Sequence, residues 1–87
     1  MSSFNFTKSA DRARCRAERQ AEIDAVKNGT WPRDINDQFR WGAMRHFHDN
    51  QEPAEHAAEM CQMDIEYIDG VDKRVLDGDP SVAGWEV

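Results

Sequence analysis

There is one leucine in these 87 residues. With four Ile, five Val and four Phe it completes a set of 14 large aliphatic and phenylalanine side chains. That is about 16% of the chain, below the roughly 20% under which a charged sequence struggles to fold unaided. Ten alanines make up much of the remaining apolar count and bury little area each. The larger payloads are three Trp, one Tyr and four Met. A chain of this length also buries only about 60% of its unfolded surface. These limits allow one small domain over residues 1–87, with an N-terminal arm at 1–7 and a C-terminal tail at 79–87. They also leave a core thin enough to need help from a second copy or a partner.

The pattern along the chain is helical. "SADRARCRAERQAEIDAVKNG" lacks Pro and internal Gly, is rich in helix formers and stops at Asn28-Gly29, which predicts a first helix over about 8–27. Thr7 or Ser9 is the expected cap. Ala10, Ala13, Ala17, Ala21 and Ala25 fall at helical spacing, a small-residue stripe that lets another helix approach closely, and Ile23 and Val26 broaden it. Trp31-Pro32 forces an extended or turned connection. A second helix is expected over about 36–48, capped by Asp34 or Asn36. There Ile35, Phe39, Ala43 and Phe47 form one stripe, and Trp41, Met44 and His48 form another. A helix apolar on both sides is covered on both sides, by its own bundle and by a tail residue such as Trp85 or another chain. Pro53 suits the first turn of a third helix over about 53–69, with Ala54, Ala57, Ala58, Cys61, Ile65 and Ile68 on one face and Met60 and Met63 flanking it. "VDKRVLDG" either extends that helix past Gly70 or forms a fourth, and Asp77-Gly78-Asp79-Pro80 terminates it. The expected fold is all-α: a three- to four-helix bundle, or a helical hairpin with extensions, in an oligomer.

Charge is split between the halves. Residues 1–48 carry nine Lys/Arg against six Asp/Glu, and residues 49–87 carry two against eleven, for a formal net charge of −6. The split permits self-association or a basic partner. Arg12, Arg16 and Arg19 share one helical face, and that face is suited to tracking a phosphate backbone. Against that reading stand the acidic total and the interspersed Glu18, Glu22 and Asp24. A solvated arginine face is the plainer expectation, and direct DNA binding is disfavoured.

Other chemistry finds little foothold. His46 and His48 lie about 200° apart on a helix, and His56 and Cys61 are also off a common face, so no zinc site is expected and the histidines read as ordinary and partly exposed. No phosphate loop, nucleophile elbow or HExxH occurs, and a small alanine-rich bundle offers little room for a pocket, so the chain reads as non-enzymatic with no cofactor. Cys15 and Cys61 are too few for a disulfide framework and read as small buried thiols. No apolar run of leader or membrane-spanning length is present, and the expected location is cytoplasmic.

In size, acidity and lack of catalytic signatures the chain is similar to the small accessory proteins of phages and mobile elements, among them inhibitors of host nucleases, CRISPR complexes and polymerases. The likeness is one of composition and transfers no residue. It implies a protein that binds another protein, with a basic one that handles nucleic acid as the expected class. The residues expected to meet that partner are Trp41, Met44, Glu55, Glu59, Glu66, Asp69 and Asp72. The alternatives are a small DNA-binding regulator using Arg12, Arg16 and Arg19, and a self-assembling structural protein, most simply a homodimer.

Overall fold

The computed structural model describes residues 4–35 and 53–87. Among them the chain is all-α with no strand. Helix α1 spans Ser9–Lys27, helix α2 spans Pro53–Asp77, and a 3₁₀ turn follows at Pro80–Val82. The expected second helix, with Trp41 and Met44, lies outside the described residues. Its leading stripe residue, Ile35, is 63% exposed, so the stripe does not begin in the core.

Both long helices stop for the same reason. At the end of α1, Gly29 takes φ 72° and lets the Gly29 N–H reach the Val26 carbonyl (3.3 Å) and the Thr30 N–H reach the Ala25 carbonyl (2.9 Å). This paired closure of orphan carbonyls requires a left-handed residue, which glycine adopts without steric cost. Gly78 repeats it at φ 74°, where the Gly78 and Asp79 N–H groups bond to the Val75 and Arg74 carbonyls. The α2 helix therefore continues through Asp69-Gly70, and "VDKRVLD" extends it rather than forming a fourth helix. Its start at Pro53 follows the expectation. The cap of α1 does not: Lys8 occupies the position and makes no side-chain capping bond. Instead the Ser9 N–H donates to Glu86 Oε1 at 3.4 Å, so the tail serves the role expected of Thr7 or Ser9.

The helices pack antiparallel. Arg12 meets Asp72, Arg16 meets Asp69 and Arg19 meets Asp64, so steps forward along α1 match steps backward along α2. Farther along, Ile23 joins Ala57, Cys61 and Ile65 in the core, with Trp31 and Met60 packed against them. Ala57, Cys61, Ile65 and Ile68 of the expected α2 face are all buried, and Val71 continues the row. Each fully buried Ile contributes roughly 1.5–3 kcal/mol.

The contact face of α1 is not the one its alanines suggest. Ala10, Ala13 and Ala17 are exposed, while Arg12, Cys15, Glu22, Ile23 and Ala25 are buried. Most of the alanine stripe lies on the opposite side of the helix, and of its five residues Ala25 alone is buried. Turning it inward would bring Cys15, Ile23 and Val26 into water and carry the three arginines away from their aspartates. His56 is likewise buried rather than partly exposed, one position before Ala57 in the core row.

Two polar clusters close the ends of the hairpin. Where the chain leaves α1, buried Glu22 accepts from the Trp31 indole N–H at 2.9 Å and from Arg33 Nε at 3.1 Å. These bonds satisfy a carboxylate that would otherwise be costly to bury. At the other end the arm and the tail meet: the Glu86 N–H donates to the Thr7 carbonyl at 2.8 Å, and Lys8 Nζ pairs with Glu86 Oε2 at 3.1 Å. Val82 of the 3₁₀ turn is buried and Trp85 is half-buried.

Candidate interaction surface

The charge split of the sequence is answered within the chain. Arg12 is 2% exposed. Its Nε donates to Asp72 Oδ1 at 2.6 Å, its Nη1 donates to the Phe6 carbonyl at 2.6 Å, and its Nη2 donates to the Glu86 carbonyl. One planar fork thus binds α2, the arm and the tail together. Arg16 bonds both oxygens of Asp69, at 2.8 and 3.3 Å. Arg19 Nε reaches Asp64 Oδ2 at 2.9 Å. The solvated arginine face expected from the sequence is therefore an interhelical ladder, graded from a buried rung at Arg12 to an exposed one at Arg16.

The ladder leaves its mark on the acids. The hydrogen bond from Arg16 holds the Asp69 carboxyl below the usual aspartate range, against a slight upward push from burial. The same bond raises the Arg16 guanidinium. Lys8 similarly lowers Glu86, and the Ser81 backbone N–H lowers Asp79. Burial pushes the Cys15 thiol up, and nearby Arg19 draws it partly back. Cys15 and Cys61 are both buried, free thiols.

The seven residues expected to meet a partner separate into three groups. Asp69 and Asp72 face α1 and hold arginines. Trp41 and Met44 lie outside the described residues. Glu55, Glu59 and Glu66 are exposed. Spaced four and seven apart, those three fall within about 40° of one another around α2, on the side away from the core. Nothing in the sequence alone separates them from Asp69 and Asp72, because the division depends on which face α1 covers.

Beside this acidic stripe run two side chains not singled out for binding. Met63 is 53% exposed and Tyr67, one turn on, is 52% exposed. Phe6 of the arm packs edge-on against the Tyr67 ring, at 6.0 Å between centroids and 61° between planes. Their four-residue spacing, offset from the Ile65–Ile68 face, is present in the sequence, where Met63 reads as a flank of the core and Tyr67 carries no reading of its own. A second apolar region lies at the tail end, where Leu76 and Val87, 71% and 80% exposed, border a groove of about 280 Å³ shared with Ser9, Arg12, Ala13 and Asp72.

Among the described residues, no three His, Cys, Asp or Glu side chains converge as a metal site requires, and no helix is long and apolar enough to cross a membrane. Compared with family models, curated proteins and solved structures, the chain matches none.

Proposed function

We propose that this chain is a non-enzymatic binding protein that docks another protein on the outer face of α2, acting as an inhibitor or regulator. The observation carrying the reading is the division of α2's carboxylates. Asp64, Asp69 and Asp72 are held by α1, while Glu55, Glu59 and Glu66 stay exposed in one row beside exposed Met63 and Tyr67. Carboxylates around an apolar centre of Met and Tyr suit a basic partner, with charge steering the approach and the apolar pair holding the complex. A protein that handles nucleic acid is the natural class of such a partner, and the small acidic inhibitors of phages are the nearest likeness in composition. Trp41 and Met44 remain the proposed second anchor.

The test is affinity capture by the wild-type chain beside Glu55→Lys/Glu59→Lys/Glu66→Lys. A partner lost at raised salt, and lost from the triple variant while its helical circular dichroism is retained, supports the reading. A partner retained equally by the variant removes the acidic face from it.

Self-association is the second reading, favoured by exposed Leu76 and Val87 in a chain with so small a core. Sedimentation at micromolar concentration separates a dimer from a monomer. The DNA-binding alternative draws less support, because Arg12, Arg16 and Arg19 are each engaged by an aspartate of α2.

A further inference from the structure

We infer that the N-terminal arm and the C-terminal tail dock and undock as one unit, a clasp keyed on Arg12, and that its state sets how Tyr67 is presented on the outer face of α2. The inference needs no ligand and stands apart from the identity of any partner.

Three observations join the two segments. Arg12 donates to a carbonyl in each, Phe6 in the arm and Glu86 in the tail, while its Nε stays on Asp72 of α2. The Glu86 N–H donates to the Thr7 carbonyl, so the segments are also bonded to each other. The Glu86 carboxylate meets both Lys8 and Ser9 at the start of α1. Because the guanidinium is buried, the departure of either segment leaves a charged donor without its acceptor, and that penalty falls on the pair. Neither segment has a large apolar anchorage of its own: Phe4, Phe6 and Trp85 are half-buried, and of the tail only Val82, in its 3₁₀ turn, is buried. Opening therefore costs far less than unfolding the hairpin, which is the condition for a local cooperative unit.

The clasp reaches the α2 face through one contact. Phe6 sits one residue from Thr7 and packs on Tyr67. When the arm leaves, the part of the Tyr67 ring that Phe6 covers is uncovered beside Met63 and Glu66. The arm is further tied by the Asn5 N–H to Asp11 (2.9 Å) and by Phe4 under the Arg14 guanidinium (4.8 Å), contacts that open with it.

The experiment uses amide exchange by NMR on the full chain. Glu86→Pro deletes the N–H that the Thr7 carbonyl accepts and the carboxylate that meets Lys8 and Ser9, and it leaves every arm residue itself unchanged. The arm amides of Asn5, Thr7 and Lys8 should nonetheless exchange at least about tenfold faster, and the Tyr67 ring resonances should shift, while Ile65 and Ile68 keep their protection. In Arg12→Lys, which keeps the charge and loses the fork, arm and tail amides should accelerate by a common factor. Unchanged arm protection in Glu86→Pro overturns the coupling. So does acceleration of Ile65 and Ile68 by the same factor, which would make the termini part of the global fold.

Discussion

The arginine ladder offers one chemistry at three depths, and that makes it a measurement. Arg12, Arg16 and Arg19 each bond an aspartate of α2 at 2.6–2.9 Å, yet their side chains are 2%, 44% and 19% exposed. If contact distance set the energetics, the three truncations would cost alike. If burial does, they will not. Removing one partner of a buried pair costs about 3–5 kcal/mol, because the other is left uncompensated. Arg12 falls at the lower end, because Asp72 is 46% exposed and water can resolvate it. The two backbone carbonyls that Arg12 also serves add to the loss. Arg12→Ala should therefore cost about 3 kcal/mol, a large fraction of the 5–15 kcal/mol typical of a domain. Arg16→Ala should fall within the scatter of the measurement, because both ends of its pair are in water and side-chain entropy offsets the attraction. Arg19→Ala should lie between. Urea unfolding followed by circular dichroism gives all three, with midpoints compared at constant m. Equal losses, or a larger loss at Arg16 than at Arg12, would refute the argument. Arg12→Met separates the methylene stem from the charge: if it recovers most of the stability, the stem's packing rather than the fork is what matters.

Further outcomes follow from the same geometry. Ile65→Ala, at 3% exposure in the core cluster, should cost about 2–4 kcal/mol in the same unfolding assay. Gly70 lies within α2 with nothing inside 4 Å of an added Cβ, so Gly70→Ala should raise stability by about 0.5–1 kcal/mol, and a drop would mean that the outer face is covered there. Asp69, Glu86 and Asp79 have folded pKa values depressed by Arg16, Lys8 and the Ser81 N–H, so their stabilisation is complete above the ordinary carboxylate range, about pH 4, and is lost as pH falls through the lower folded values. Acid titration of the helical signal should show no decline from these groups above that range. Cys15 is buried with a raised thiol pKa, so alkylation in the native state should be much slower than in urea, and equal rates would place the thiol at the surface.

How much of this is legible in the sequence depends on whether the buried side chains are apolar. The α2 face was legible because Ala57, Cys61, Ile65 and Ile68 recur at helical spacing and are apolar, which is the signal that periodicity detects. The end of α1 was legible in Asn28-Gly29, and the stop of α2 in Asp77-Gly78. The α1 face was not legible, because its buried row mixes Arg12, Cys15, Glu22 and Ile23, and hydropathy assigns Arg and Glu to water. The available clue was in pairs rather than in single residues: arginines at 12, 16 and 19 match aspartates at 72, 69 and 64 in reverse order. That match becomes visible only once the two helices are supposed antiparallel. The cap of α1 was missed for a related reason, since Glu86 is 77 residues from the Ser9 N–H it serves.

That reverse match also changes what the net charge means. A basic half and an acidic half suggested attraction between molecules, but among the described residues six bridges already join cations to carboxylates, and the interhelical three use the residues that looked most available. Each bridge removes one charge of either sign, so the formal net charge of −6 is carried by groups outside them. Glu55 and Glu66, exposed on the outer face of α2, are among those groups. Among the described residues, folding pairs arginines of the first half with aspartates of the second and leaves carboxylates exposed on the outer face of α2. The proposed docking face is therefore the outside of α2 beside Met63 and Tyr67, away from the aspartates that hold arginines. On the proposed reading, a negative face repels duplex DNA and draws in a basic protein surface, which is the distinction that the salt dependence of binding will read.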